Sequence, residues 1–65
     1  MNLKALFHLA SDNPGAIKTL AQQHGLDPVV SMGVVKLMIA NDGNLSSLSQ
    51  KQRHHYDMTI KPLIE

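Results

Sequence analysis

Apolar side chains in this chain recur mainly at three- and four-residue steps, the spacing that gathers them on one side of a helix. Four segments carry it. Leu3, Leu6, Phe7 and Ala10 mark a short amphipathic helix over residues 2–10, with Lys4 and His8 turned outward. Ile17, Leu20 and Ala21 mark a second over 14–24, and Tyr56 and Ile60, with Gln52, mark a fourth over 50–61. The third, over 28–42, is the richest. Val30, Val34, Leu37, Met38 and Asn41 share one face, yet Val29, Met32, Val35 and Ile39 point elsewhere and Lys36 is the only charge between Pro28 and Ala40. A helix apolar on most sides is buried or shared with a partner. The pattern therefore predicts an all-α, small four-helix domain packed around its third helix.

Local signals place the boundaries. Asn13 before Pro14 reads as a cap followed by a first-turn proline. Gly25 can take the left-handed conformation that closes a helix, with Leu26 folding back onto Leu20 or Ala21. Asp27 can then accept hydrogen bonds from the free amides of the next helix, and Pro28 at its first position has no amide to leave unpaired. Asn41, Asp42, Gly43 and Asn44 form another stop, with Gly43 as its left-handed residue. Asp42-Gly43 can alternatively turn a β-hairpin, making residues 37–48 the wing of a winged helix. That ranks lower, because Leu45, Ser46, Ser47 and Leu48 do not alternate and serine fills strands poorly. Ser49 and Gln52 match a capping box, so the fourth helix should begin at Gln50. Pro62 should end or kink it.

Length allows one domain, residues 1–65, with a small core. A chain of this size buries only about 60% of the surface its unfolded form exposes, so disulfides, a metal or a partner chain commonly help. The absence of cysteine removes disulfides and thiolate-bound zinc and leaves the partner. Six Lys or Arg against five Asp or Glu give a net charge of +1, short of the basic balance usual in a domain devoted to gripping phosphates. No apolar run reaches the roughly 18 residues that span a bilayer, and the apolar stretch after Lys4 ends too soon for a secretion signal. A soluble, cytoplasmic protein without membrane contact is expected. Leu63 and Ile64 at the chain end are expected either to pack back onto the core or to belong to the N-terminal part of a longer protein.

Two surfaces compete for function. If the first, second and fourth helices cannot cover the whole third helix, Val29, Met32, Val35 and Ile39 form a leftover apolar strip suited to a protein partner or a homodimer. Met32 strengthens this, since a flexible thioether adapts to varied contacts. The rival surface rests on Leu20, Ala21, Gly25, Leu26 and Val34, a small residue on one helix, a glycine four later and apolar residues closing the angle. The segment from Ile17 to Val34 thereby resembles the helix-turn-helix of bacterial DNA-binding domains, over under a third of the chain. His24 and Ser31 stand where that pattern has apolar residues. The resemblance implies a helix from Pro28 presenting Val29, Met32, Gly33 and Lys36 to the major groove, with Lys18, Lys36, Lys51 and Arg53 on phosphates. That set lacks the Arg, Asn or Gln that reads bases in pairs of hydrogen bonds.

Catalysis has little to build on. His54 and His55 are adjacent and diverge by about 100° on a helix, so they do not converge on one ion, and with Lys51, Arg53 and Asp57 they read as a solvated face with one ion pair. His8 and His24 read as polar edges of helices. Ser11, Ser31 and the serines of 46–49 have capping or surface explanations, and no paired-carboxylate motif or phosphate-cradling glycine loop is present. The expectation is a non-enzyme without cofactor, metal or small-molecule substrate, acting as a protein-interaction or self-association module, with nucleic-acid binding as the alternative.

Overall fold

The computed structural model describes residues 3–64, and the expected helix start at residue 2 and the last residue, Glu65, lie outside them. Helix α1 (Leu3–Asp12), α2 (Pro14–Gln23) and α3 (Pro28–Ala40) are followed by a 3-10 turn at Leu45–Ser47. Then α4 (Gln50–His55), a π-helical turn (Tyr56–Ile60) and α5 (Lys61–Ile64) follow without a break, as one helical run. The domain is all-α, and no strand forms among the described residues, so 45–48 is not a wing.

The α2–α3 corner is closed by backbone hydrogen bonds. Gly25 sits at φ 68°, and the Leu26 and Gly25 amides donate to the Ala21 and Gln22 carbonyls at 2.7 and 3.2 Å. This pair of bonds satisfies carbonyls that the helix end would leave open. Asp27 then accepts from the Val29 amide at 2.9 Å and starts α3. The end of α3 uses the same pair of bonds one residue earlier than the sequence suggests. Gly43 is left-handed as the sequence suggests, at φ 78°, but Asp42 before it is left-handed too, at φ 53°, and the Gly43 amide donates to the Met38 carbonyl at 2.8 Å. The capping box at Ser49 and Gln52 forms with both of its hydrogen bonds, at 2.8 and 3.2 Å. Asn13 differs. Its side chain makes no cap bond, and its main-chain carbonyl accepts from Ala16 instead.

Pro62 does not end the last helix, which runs on to Ile64. A proline inside an α-helix clashes with the carbonyl four residues back. Here the preceding turn is π-helical and wider, with the Lys61 amide reaching the Tyr56 carbonyl five residues back, and the crowding is relieved. The Thr59 hydroxyl donates to the His55 carbonyl at 2.6 Å inside the same turn.

The core joins Leu6, Leu9, Ile17, Val34, Val35, Met38, Tyr56 and Ile60. Helix α3 lies against α1, α2, α4 and the π turn, and this crowd of neighbours shelters more of it than its circumference suggested. Its buried face is Ser31, Val34, Val35 and Met38, an i, i+3, i+4, i+7 stripe turned from the expected one, and Val30 and Leu37 are only half-buried. Val35, fully buried inside one chain, therefore drops out of the proposed contact strip. On α1, Leu9 takes the inward place expected of Phe7, which is 50% exposed. On the final helical run His55 and Thr59 join Tyr56 and Ile60 inside, while Gln52 is half-buried and held in its cap.

The glycines give a contrast that equilibrium denaturation can check. A Cβ at Gly25 or Gly33 meets no neighbouring atom, but only Gly25 has a positive φ. Gly25→Ala should therefore cost about 1 kcal/mol through backbone strain. Gly33→Ala should stabilise by about 1 kcal/mol through helix propensity.

Candidate functional site

A groove of about 680 Å³ runs between α2 and α3. Pro14, Gly15 and Lys18 form one wall, from the first half of α2, and Pro28, Val29, Met32, Gly33 and Lys36 form the other, from α3. The spacing on α3 repeats every four residues, so the wall runs along the helix axis for about 12 Å at 1.5 Å per residue. Its surface is mostly apolar. Val29 is 77% exposed, the most exposed of the large apolar side chains among the described residues. Met32 is half-buried and leans on the core.

Gly15 lines one wall and Gly33 the other, and at each a Cβ would meet nothing within 4 Å. Lys18 and Lys36 supply the only charge of the lining, and neither has an ion-pair partner among the described residues. The carboxylates lie elsewhere: Asp12 pairs with His8 at 3.1 Å, Asp57 with Arg53 at 3.2 Å, Asp27 caps α3 and Asp42 turns its end.

Of the residues singled out by sequence, the groove collects Val29, Met32, Lys18 and Lys36. Ile39 is half-buried against the core and, with Val35, stands outside the groove. Arg53 and Lys51 lie on α4, outside it as well. Arg53 is engaged locally, its guanidinium paired with Asp57 and 5.9 Å from the centre of the Tyr56 ring. In the sequence Pro14 and Pro28 read only as helix starts, and Gly15 only as a first-turn residue of low helix propensity. Gly33 had been named only as part of a DNA-facing set, although an interior helix glycine with no turn to make was the available signal.

A second polar site was missed altogether. Ser31 and His55, 24 residues apart, share a buried hydrogen bond at 2.8 Å between Oγ and Nδ1, tying α3 to α4. Ser31 had been assigned to the surface and His55 to a solvated face, yet they are 0% and 2% exposed. Ser31 falls at i of the i, i+3, i+4, i+7 stripe with Val34, Val35 and Met38, so its burial was readable in principle. Its partner was not. With both groups enclosed, the pair resembles a nucleophile and base in type only, and it meets no solvent-filled space a substrate would need. Burial, with Lys51 and His54 adding to it and Asp27 opposing, holds the His55 pKa below 6.5. Among the described residues no three His, Asp or Glu converge as a metal site requires, and no helix is long and apolar enough to cross a membrane.

No family model, no curated protein and no solved structure matches this chain. Function is accordingly argued from the groove and its two lysines.

The Ser31–His55 pair makes a pH-dependent prediction. The folded state favours neutral imidazole, whereas His55 in the unfolded chain protonates near the ordinary 6.5. Its contribution is complete above that value and is lost as pH falls toward the lower folded pKa, because the unfolded state then binds more protons. Urea midpoints measured from about pH 7 to about pH 5 should fall, and fall less in the double variant Ser31→Ala with His55→Leu. Ser31→Ala alone should cost about 1–3 kcal/mol by stranding the imidazole nitrogen.

Proposed function

We propose that this domain is a non-catalytic protein-interaction module that holds another polypeptide in the α2–α3 groove. The carrying observation is the combination of an exposed Val29 with Gly15 and Gly33 in an open apolar channel. An interior helix glycine costs about 1 kcal/mol relative to alanine. Nothing within the fold requires that cost at Gly33, where space is open and φ is ordinary. A backbone left bare at the surface permits a second chain to approach closely. The contact surface consists of Val29, Met32 and Gly33 on α3 with Pro14 and Gly15 on α2, in place of the strip that included Val35 and Ile39.

A second reading has an observation of its own. The helix-turn-helix resemblance would direct Val29, Met32, Gly33 and Lys36 at DNA, and Lys18 and Lys36 both lie free along the groove. It ranks second because the presented face has no side chain suited to reading a base edge, and Arg53 is held by Asp57. Phosphate contacts alone would give weak binding with a shallow salt dependence, since each neutralised phosphate contributes about 0.9 to the slope.

Amide chemical shifts test the first reading. Titration with a set of amphipathic helical peptides of either net charge should move the Gly15, Lys18, Val29, Met32, Gly33 and Lys36 resonances together and saturate. Shifts scattered over the surface, or none with any peptide, contradict it. Duplex DNA at low salt producing the same saturating shifts would install the second reading instead.

A further inference from the structure

We infer that the occupant of the groove is an amphipathic helix with an acidic rim belonging to a different protein, an inference that rests on the polypeptide-binding reading and gives it a partner chemistry. Three features of the groove select this occupant.

The first is shape. The α3 wall repeats at 28, 29, 32, 33 and 36 and the α2 wall at 14, 15 and 18, so the channel is bounded by about two turns of α3 and about one turn of α2. Apolar anchors at i, i+3, i+4 and i+7 of an added helix span about 10.5 Å, matching that length. Gly15 and Gly33 leave space for anchors at the two points where side chains would otherwise close the channel. An extended strand would instead need a row of open backbone hydrogen-bonding groups, and both walls are helices whose groups are already paired.

The second is charge. The lining carries Lys18 and Lys36 and no carboxylate, and the Asp12, Asp57 and Asp27 carboxylates are engaged in a pair or a cap. Opposing acidic residues on the rim of a partner helix complete these two charges. They would favour one partner over another by steering and by the repulsion of basic sequences.

The third eliminates a second copy of this chain. A two-fold interface sets each patch against itself. The same groove from two copies would bring four lysines together with no carboxylate in either lining, and like charges brought together at an interface oppose association. The groove thus selects against the homodimer that the apolar character of α3 first suggested.

The test uses two fluorescein-labelled helical peptides of about 14 residues, each with Leu at i, i+3, i+4, i+7 and i+11. One carries Glu and the other Lys at the flanking positions, and anisotropy is read at low and high ionic strength. The Glu peptide should bind about tenfold tighter than the Lys peptide at low salt, as two rim ion pairs of up to about 1 kcal/mol each allow, with the preference shrinking at high salt. Lys18→Glu with Lys36→Glu should invert that preference. Gly33→Leu, whose Cβ meets no neighbouring atom, should weaken the Glu peptide at least tenfold while circular dichroism shows an unchanged helical fold. Equal binding of both peptides, still abolished by Gly33→Leu, overturns the acidic partner but leaves the polypeptide-binding reading standing. Failure of both peptides to bind removes both. A concentration-dependent doubling of mass that Gly33→Leu abolishes would overturn the elimination of the second copy, and duplex DNA displacing the Glu peptide would assign the lysines to phosphate.

Discussion

The structure depends on enclosing a helix that is apolar around most of its circumference. Between Pro28 and Ala40 only Lys36 is charged, so α3 can be stable only where other elements cover it. In a chain of 65 residues the covering is done by α1, α2, α4 and the π turn, each short and none of them durable alone. Their mutual dependence makes α3 the organising element. It also explains why the buried hydrogen bond between Ser31 and His55 is tolerated: the imidazole and the hydroxyl satisfy each other, and among the described residues no buried side-chain polar atom is left without a partner.

Enclosure is nearly complete, and its incompleteness is localised. Val35 is sealed, and Met32 and Ile39 lean on the core, but Val29 and the backbone at Gly33 stay open beside Gly15. A larger residue at Gly33 would both strengthen the helix and close the channel. Stability and an open groove therefore pull against each other at this position, as they commonly do where a surface is reserved for binding.

What the sequence revealed divides along local and tertiary lines. Helix existence, the Gly25 stop, the Asp27 cap with Pro28 and the Ser49–Gln52 box were legible because each depends on residues within four or five positions of one another. Facing was legible only approximately. Phe7 was read inward and Leu9 was not named, and the α3 stripe was read as Val30, Val34, Leu37 and Met38, because an apolar helix with four neighbours has several plausible inner faces and local spacing cannot choose among them. The groove was half visible: Val29, Met32, Lys18 and Lys36 were singled out, but on separate grounds. Their meeting depends on how α2 lies on α3. His55 was the least legible, since a histidine among Lys51, Arg53 and His54 looks solvated until the π turn and Ser31 are placed around it. The passage through Pro62 was hidden for a similar reason, as nothing in the sequence before it announces a π turn.

The central claim, that one chain seals the Ser31, Val34, Val35 and Met38 face of α3 and leaves its groove side open, is tested most directly by methionine oxidation. Met32 lines the groove and Met38 is fully buried, six residues away on the same helix. Brief peroxide treatment read by peptide mass spectrometry should oxidise Met32 well before Met38, at a ratio unchanged on dilution. Equal rates at the two methionines, or a Met32 protected at high protein concentration and released on dilution, would contradict it.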